Sequence, residues 1–437
     1  MRFFSLPRGP GSGYRRCRSG VWRPVFRGFC VKGNQRFMLP RVLLRLCAVL
    51  VCGLLLNACR HEEGPPLDQQ LYIWQRQWTP AHADALAGSR ADFSTVRVLA
   101  LQAFPQAGWS RARIDAALLK QDGRPLIAVV RLDGQLPSLN QDDILQQVQQ
   151  LLADWQGQGL TLAGLEIDHD AGSARLPAYA GLLRRLREVL PQQLALSITA
   201  LPAWLDSREL PGLLAQVDSS VLQVHAVSDP RRGLFDPHQA EQWARRWAGV
   251  SDKPFYLALP AYGVALLPGT AQAPVVESEA PIARRGQRRE LMADPEQLSQ
   301  LAKTLRNDPP AHLAGLIWFR LPLKGDVRAW SLDTLRAVAR GDVLDSRLGI
   351  SLQEQDGLFD IRLDNPGNLD RPLPEQLTLA VAQCDGFDGL GGYSAELRDG
   401  QLLLTRQQAG RLAAGGTRAV GWARCTKIDQ GAAHVRP

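Results

Sequence analysis

Acidic residues are missing from the first 58 positions, which hold 11 of the 51 Lys and Arg residues and no Asp or Glu. The remainder carries 40 basic against 43 acidic groups, a net of −3. The formal charge of +8 therefore belongs to the leader. A nearly neutral remainder lacks the basic surface that nucleic-acid binding needs, so no nucleic-acid partner is expected. The apolar run 46–56 is too short to span a bilayer comfortably. No Gly-rich phosphate loop follows the first strand candidate, which argues against a dinucleotide fold. Cysteine is sparse. Of seven, Cys17, Cys30, Cys47 and Cys52 precede position 58, and only Cys384 and Cys425 stand in the body of the chain. No solenoid period is present.

What the N-terminus does contain is ordered. Residues 1–37 are Arg-rich and patternless, so Met38 reads as the true start. Arg41 and Arg45 then precede the apolar run, as in a secretory signal. The run ends in Leu56-Asn57-Ala58-Cys59, which resembles the lipobox of bacterial lipoproteins. That resemblance implies removal of residues 1–58, a diacylglycerol on Cys59, and a membrane partner through that lipid. Residue 60 is Arg rather than Asp, which implies outer-membrane sorting, facing the periplasm. Residues 59–70, rich in His, Glu, Gly and Pro, read as a tether. An oxidising compartment predicts a Cys384–Cys425 disulfide, with two buried thiols as the alternative.

From Leu71 the chain alternates strand and helix eight times. Strands are predicted at 71–74, 96–103, 126–132, 162–167, 195–200, 221–224, 255–259 and 316–319. Each is a short apolar run of the kind buried on both faces. Amphipathic helices are predicted at 80–87, 111–120, 141–155, 176–189, 207–216, 238–247, 295–305 and 329–339. Ser110, Asn140 and Asp294 stand as N-caps, the last followed by Pro295. Eight units over residues 71–341 predict a (β/α)8 TIM-like barrel, with an open doubly wound sheet as the alternative. After Gly341 the periodicity changes to short alternating runs broken by turns, so residues 345–437 predict a small antiparallel β domain.

The sharpest chemistry lies at the end of the fourth strand, Glu166-Ile167-Asp168-His169-Asp170. Alternation points Glu166, Asp168 and Asp170 one way, towards the lumen. Three clustered carboxylates raise at least one pKa, which can keep a general acid protonated. The competing reading pairs them with inward arginines such as Arg131 or Arg320. Trp74, Trp204, Tyr262 and Trp318 stand near strand ends, where ring faces could stack on sugars. Gln223, His225 and Arg320 are further binding candidates, and Gln102, Arg131 and Asp133 are rim candidates. His169 should point outward, so no metal and no cofactor are expected. The loop from Val264 to Ala293 overhangs the mouth. Its Arg284, Arg285, Arg288 and Arg289 suit either an anionic polymer or plain solvent.

The acidic strand resembles a degenerate form of the DxxDxDxE signature of family 18 glycoside hydrolases. Residues 257–263 (LALPAYG) and 313–318 (LAGLIW) resemble that family's seventh- and eighth-strand segments. The chain is also similar to bacterial lipoproteins of domain-of-unknown-function family 3142, through 73–76 (IWQR), the acidic strand, 196–205 (LSITALPAWL), 223–225 (QVH) and 421–424 (GWAR). The hydrolase resemblance implies a sugar site at the barrel mouth. Asp170 would be the acid, Asp168 would orient the substrate, Glu166 would tune both, and Trp318 would floor the site. Asp170 replaces that family's Glu and is one methylene shorter, while Ala163 replaces its first Asp. Three readings follow: a glycoside hydrolase of the cell envelope, a non-catalytic glycan-binding or scaffold lipoprotein, and an assembly factor docking through its β domain. The sequence leaves the glycan and the oligomeric state open.

Overall fold

Eight parallel strands close into a barrel: β1 (Asp68–Ile73), β2 (Thr95–Phe104), β3 (Leu126–Leu132), β4 (Gly164–His169), β5 (Ala195–Ala200), β6 (Ser219–Gln223), β7 (Phe255–Pro260) and β8 (Leu313–Phe319). Closure is made by β1, which pairs with β8 on one side and β2 on the other. This computed structural model describes residues 66–224, 233–270, 273–277 and 289–436. The leader, Cys59, His225 and Arg284, Arg285 and Arg288 lie outside the described residues.

Among the described residues, eight α-helices surround the strands: α1 (Ala81–Ser89), α2 (Ala116–Asp122), α3 (Gln141–Gly157), α4 (Leu176–Val189), α5 (Leu210–Leu214), α6 (Pro237–Ala248), α7 (Pro295–Asn307) and α8 (Leu332–Arg340). Their starts follow side-chain chemistry. Asn140 caps α3 by accepting from Asp143 N, and Asp294 caps α7 by accepting from Glu296 N, each tying down an orphan N–H. On α4, Leu182, Leu183 and Leu186 are fully buried against the strands.

The second helix corrects the sequence expectation. Ser110 does not cap it; Gly108–Arg111 instead forms an antiparallel hairpin with the end of β2. Asp115 is the cap and accepts from Leu118 N. The β-favouring Trp109 pairs with Ala103 across that hairpin, so tertiary pairing overrides the helical reading. In the loop after β7, Gly263–Thr270 pairs with both Ala273–Glu277 and Arg289–Met292.

The C-terminal region is a six-stranded antiparallel sheet. Its strands are β9 (Gly349–Gln355), β10 (Leu358–Asp364), β11 (Gln376–Gly389), β12 (Tyr393–Arg398), β13 (Gln401–Arg406) and β14 (Thr417–Arg436), in the order β9-β10-β14-β11-β13-β12. It holds its own apolar core, including Ile361, Leu377, Leu402 and Val420. Cys384 and Cys425 face each other on β11 and β14 and are joined by a disulfide. Asp370 stitches the sheet to the barrel: one oxygen accepts from Ser331 N at the start of α8, the other from Ala414 N. Among the described residues, no helix is long and apolar enough to cross a membrane.

Candidate functional site

Strand alternation and barrel closure decide which side chains meet. Leu165, Ile167 and His169 on β4 turn to the helix layer, and His169 Nδ1 lies 2.9 Å from Leu132 O. Glu166 and Asp168 turn to the lumen, and Asp170 follows at the rim. The three carboxylates then diverge, because each meets different partners.

Glu166 is the deepest and is fully buried. Its Oε1 accepts from the Tyr72 hydroxyl at 2.5 Å, and its Oε2 accepts from the Arg97 guanidinium. Arg97 also donates to Gln70 Oε1 at 2.8 Å and lies over the Tyr256 ring. Burial pushes the Glu166 carboxyl up, while Arg97 and the Tyr72 hydroxyl pull the other way. Glu166 therefore cannot touch a ligand. It neutralises Arg97 in the lumen floor, and the nearby Asp168 adds to the upward push on its carboxyl.

Asp168 is also fully buried. Its Oδ1 accepts from Thr199 Oγ1 at 2.6 Å and Gln223 Nε2 at 3.1 Å; its Oδ2 accepts from Arg131 at 2.8 Å. These donors hold it in one orientation. Asp170 is the accessible member, its side chain 34% exposed. It accepts from the other arm of Arg131 at 3.0 Å. Burial and the neighbouring Asp168 raise its pKa to about 6, against the opposing pull of Arg131. Gly134 fixes its position from behind, since a Cβ there would sit 2.3 Å from Asp170 O.

The aromatic wall differs from the one expected. Trp318 is fully buried on the outer side of β8, donating to Gln69 Oε1 at 2.8 Å and packing near Trp330. It does not floor the site. Ile317 and Phe319 take the inward positions, and Phe319 packs edge-on against Trp74 and Tyr262 at ring-centroid distances of 5.0 and 5.3 Å. Trp204 is likewise sealed away, donating to Ala171 O at 2.7 Å just behind Asp170. Trp74 and Phe319 are partly exposed, and Tyr262 is buried, which pushes its hydroxyl up to about 12.

Arg320 pairs with Asp326 at 2.7 Å rather than with the acidic strand. Arg131 is the guanidinium that meets Asp168 and Asp170, and it lies 5.8 Å from the Trp74 ring centroid. Asp133 stays beside the rim and accepts from Gln135 N. Sequence reasoning missed Arg97, Tyr72, Thr199 and Phe319. A lone Arg inside the apolar run 95–101 was the available signal for the first; a buried cation in a strand calls for an anion opposite it. Among the described residues, no group of three or more His, Cys, Asp or Glu side chains is arranged to hold a metal ion.

No curated protein matches the chain significantly. Solved structures of similar fold include the spore cortex-lytic enzyme SleL of Bacillus cereus, at 12% identity and TM-score 0.47, covering 64% of this chain and 75% of that one. A chitinase from Chromobacterium violaceum is similar at 13% identity and TM-score 0.44, over 63% and 98% of the respective chains. A chitinase from Bacteroides thetaiotaomicron is similar at 9% and 0.47, over 63% and 97%. The IWQR and GWAR segments, expected to share the family 3142 resemblance, fall outside residues 122–324, where that family matches. Residues 122–324 of the barrel match the model of the domain-of-unknown-function family DUF3142, and residues 348–426 of the C-terminal sheet match that of a second, DUF8456.

Proposed function

We propose that the mouth of the barrel is a carbohydrate site and that Asp170 is its proton-donating group. The observation that carries this is the asymmetry of the acidic strand. Glu166 and Asp168 are sealed and hydrogen-bonded, whereas Asp170 is accessible and carries a pKa of about 6. A carboxyl group poised there is partly protonated near neutral pH, as a general acid requires. Trp74 and Phe319 supply partly exposed aromatic surface on the same side of the lumen, suited to the apolar face of a sugar ring. Asp168, oriented by Thr199 and Gln223, would act through space to steady positive charge developing on the sugar. The reaction would be hydrolysis of a glycosidic bond.

A second reading is supported by the Arg131–Asp170 ion pair. A carboxylate held by a guanidinium is a poorer proton donor, so the same mouth would bind a glycan without cleaving it. One experiment separates the two. Detergent-solubilised protein is incubated with peptidoglycan fragments and a panel of aryl glycosides, beside Asp170→Asn. Turnover by the unaltered protein that Asp170→Asn loses supports the hydrolase. Retention of glycan without turnover selects the binding protein. Equal turnover in both proteins removes Asp170 from the chemistry.

The cellular setting is part of the proposal. A lipid on Cys59 would hold the barrel within a short tether of the outer membrane, on its periplasmic side, beside envelope glycans. Cys59→Ser should release the protein from membrane fractions. Retention there would sink the anchor.

A further inference from the structure

Among the described residues, the lumenal face contains a polar group that the proposed reading leaves unused and unpartnered. Gln102, on β2, is 6% exposed, and its Oε1 is buried with no hydrogen-bond partner. An unsatisfied buried acceptor destabilises the fold, so it calls for a donor in some state of the protein. The register supplies one. Gln102 pairs with Arg131 across β2 and β3, and Arg131 pairs with Asp168 across β3 and β4. Side chains of residues paired in a parallel sheet share a face. Gln102, Arg131 and Asp168 therefore stand side by side, facing the lumen. Arg131 leans towards β4 and spends its two arms on Asp168 and Asp170, away from Gln102.

The two anchors of Arg131 are unequal. Asp168 is locked by two other donors and cannot follow a moving guanidinium. Asp170 is at the rim, and the Arg131 side chain is itself 27% exposed. Its guanidinium also lies against Trp74, so a group stacking on that ring from the mouth would push it aside.

We propose that Arg131 is a latch with two seats, Asp170 in the closed state and Gln102 in the open one, and that the swing between them frees the Asp170 carboxyl. Gln102 is a positioning residue in this scheme: it acts through Arg131 and touches no ligand. The latch does not depend on what the mouth binds. It also joins the two readings above, since the closed seat is binding without chemistry and the open seat leaves the acid free.

A double-mutant cycle tests it without any ligand. Asp170→Ala removes the closed seat and Gln102→Met the open one at nearly constant volume. In the otherwise unaltered protein, Gln102→Met deletes an orphan acceptor and should raise Tm by about 1–3 °C. In the Asp170→Ala background it deletes the seat that Arg131 occupies and should lower Tm by a similar amount. The same shift in both backgrounds overturns the latch. A crystal structure of Asp170→Ala gives an independent reading, with Arg131 expected to donate to Gln102 Oε1. Arg131 left in place, with an ordered water on Gln102, overturns it as well.

Discussion

Arg97 and Glu166, 69 positions apart in the sequence, form an ion pair that is sealed inside the barrel lumen and shared with the Tyr72 hydroxyl. Neither side chain reaches the mouth, so the pair acts on stability. Buried pairs contribute little net stability, but breaking one leaves an uncompensated charge. Arg97→Met should therefore cost about 3–5 kcal/mol. Adding Glu166→Gln should recover more than half of this, because the amide oxygen still accepts from Tyr72 and no charge is left behind. Chemical denaturation of the three proteins measures both. A double variant no more stable than Arg97→Met would show that packing around Arg97, and not its charge, is what matters.

The Asp170 carboxyl makes a signed prediction about pH. Its folded pKa is raised from the ordinary value to about 6, so ionising it costs the folded state. The stability it contributes is complete below about pH 4 and is lost as pH rises through about 6. Between those values the Tm of the unaltered protein should fall relative to Asp170→Asn. Parallel Tm curves for the two proteins would contradict the shift. If the mouth hydrolyses a glycoside, turnover should fall away above about pH 6 for the same reason.

Two tryptophans separate binding from packing. Trp74 is partly exposed beside Arg131 and Phe319, whereas Trp318 is enclosed against Trp330. Trp74→Ala should weaken glycan retention about tenfold or more, with a modest effect on Tm. Trp318→Ala should cost about 3–5 kcal/mol of stability and leave retention at low temperature intact. Affinity electrophoresis through immobilised glycan, run beside thermal melts, checks both. Retention lost only with Trp318 would place the sugar on the wrong side of β8.

The Cys384–Cys425 bridge closes a loop with a sequence separation of 41 between β11 and β14. Loop-closure entropy of that size corresponds to about 4 kcal/mol, and measured values often fall below it. Cys384→Ser combined with Cys425→Ser should lower the melting transition of the C-terminal sheet by several degrees. Reductant should mimic this in the unaltered protein and do nothing further to the variant. Identical melts with and without the bridge would refute a stabilising role.

Much of this molecule follows from local pattern. Eight apolar runs alternating with amphipathic helices specify the barrel, because strands buried on both faces and helices buried on one leave different periodicities. Asn140 and Asp294 mark helix starts through short-range hydrogen bonds that need no tertiary context. The acidic β4 stands out because consecutive even positions carry carboxylates where the neighbouring strands β3 and β5 carry none. Alternation alone then directs Glu166 and Asp168 to one face. The change to short alternating runs after Gly341 likewise announces the second sheet.

Tertiary structure decided what those side chains do. Trp318 and Phe319 are adjacent, apolar and equally suited to either face of β8, so only closure of the barrel determines that Phe319 faces the lumen. Glu166, Asp168 and Asp170 look alike in the sequence. Their fates separate because Tyr72 and Arg97 arrive from β1 and β2, Thr199 from β5 and Arg131 from β3, each at a depth set by strand register. The charge state and accessibility of a carboxylate depend on what surrounds it in space, and those neighbours are brought in from strands distant in the chain.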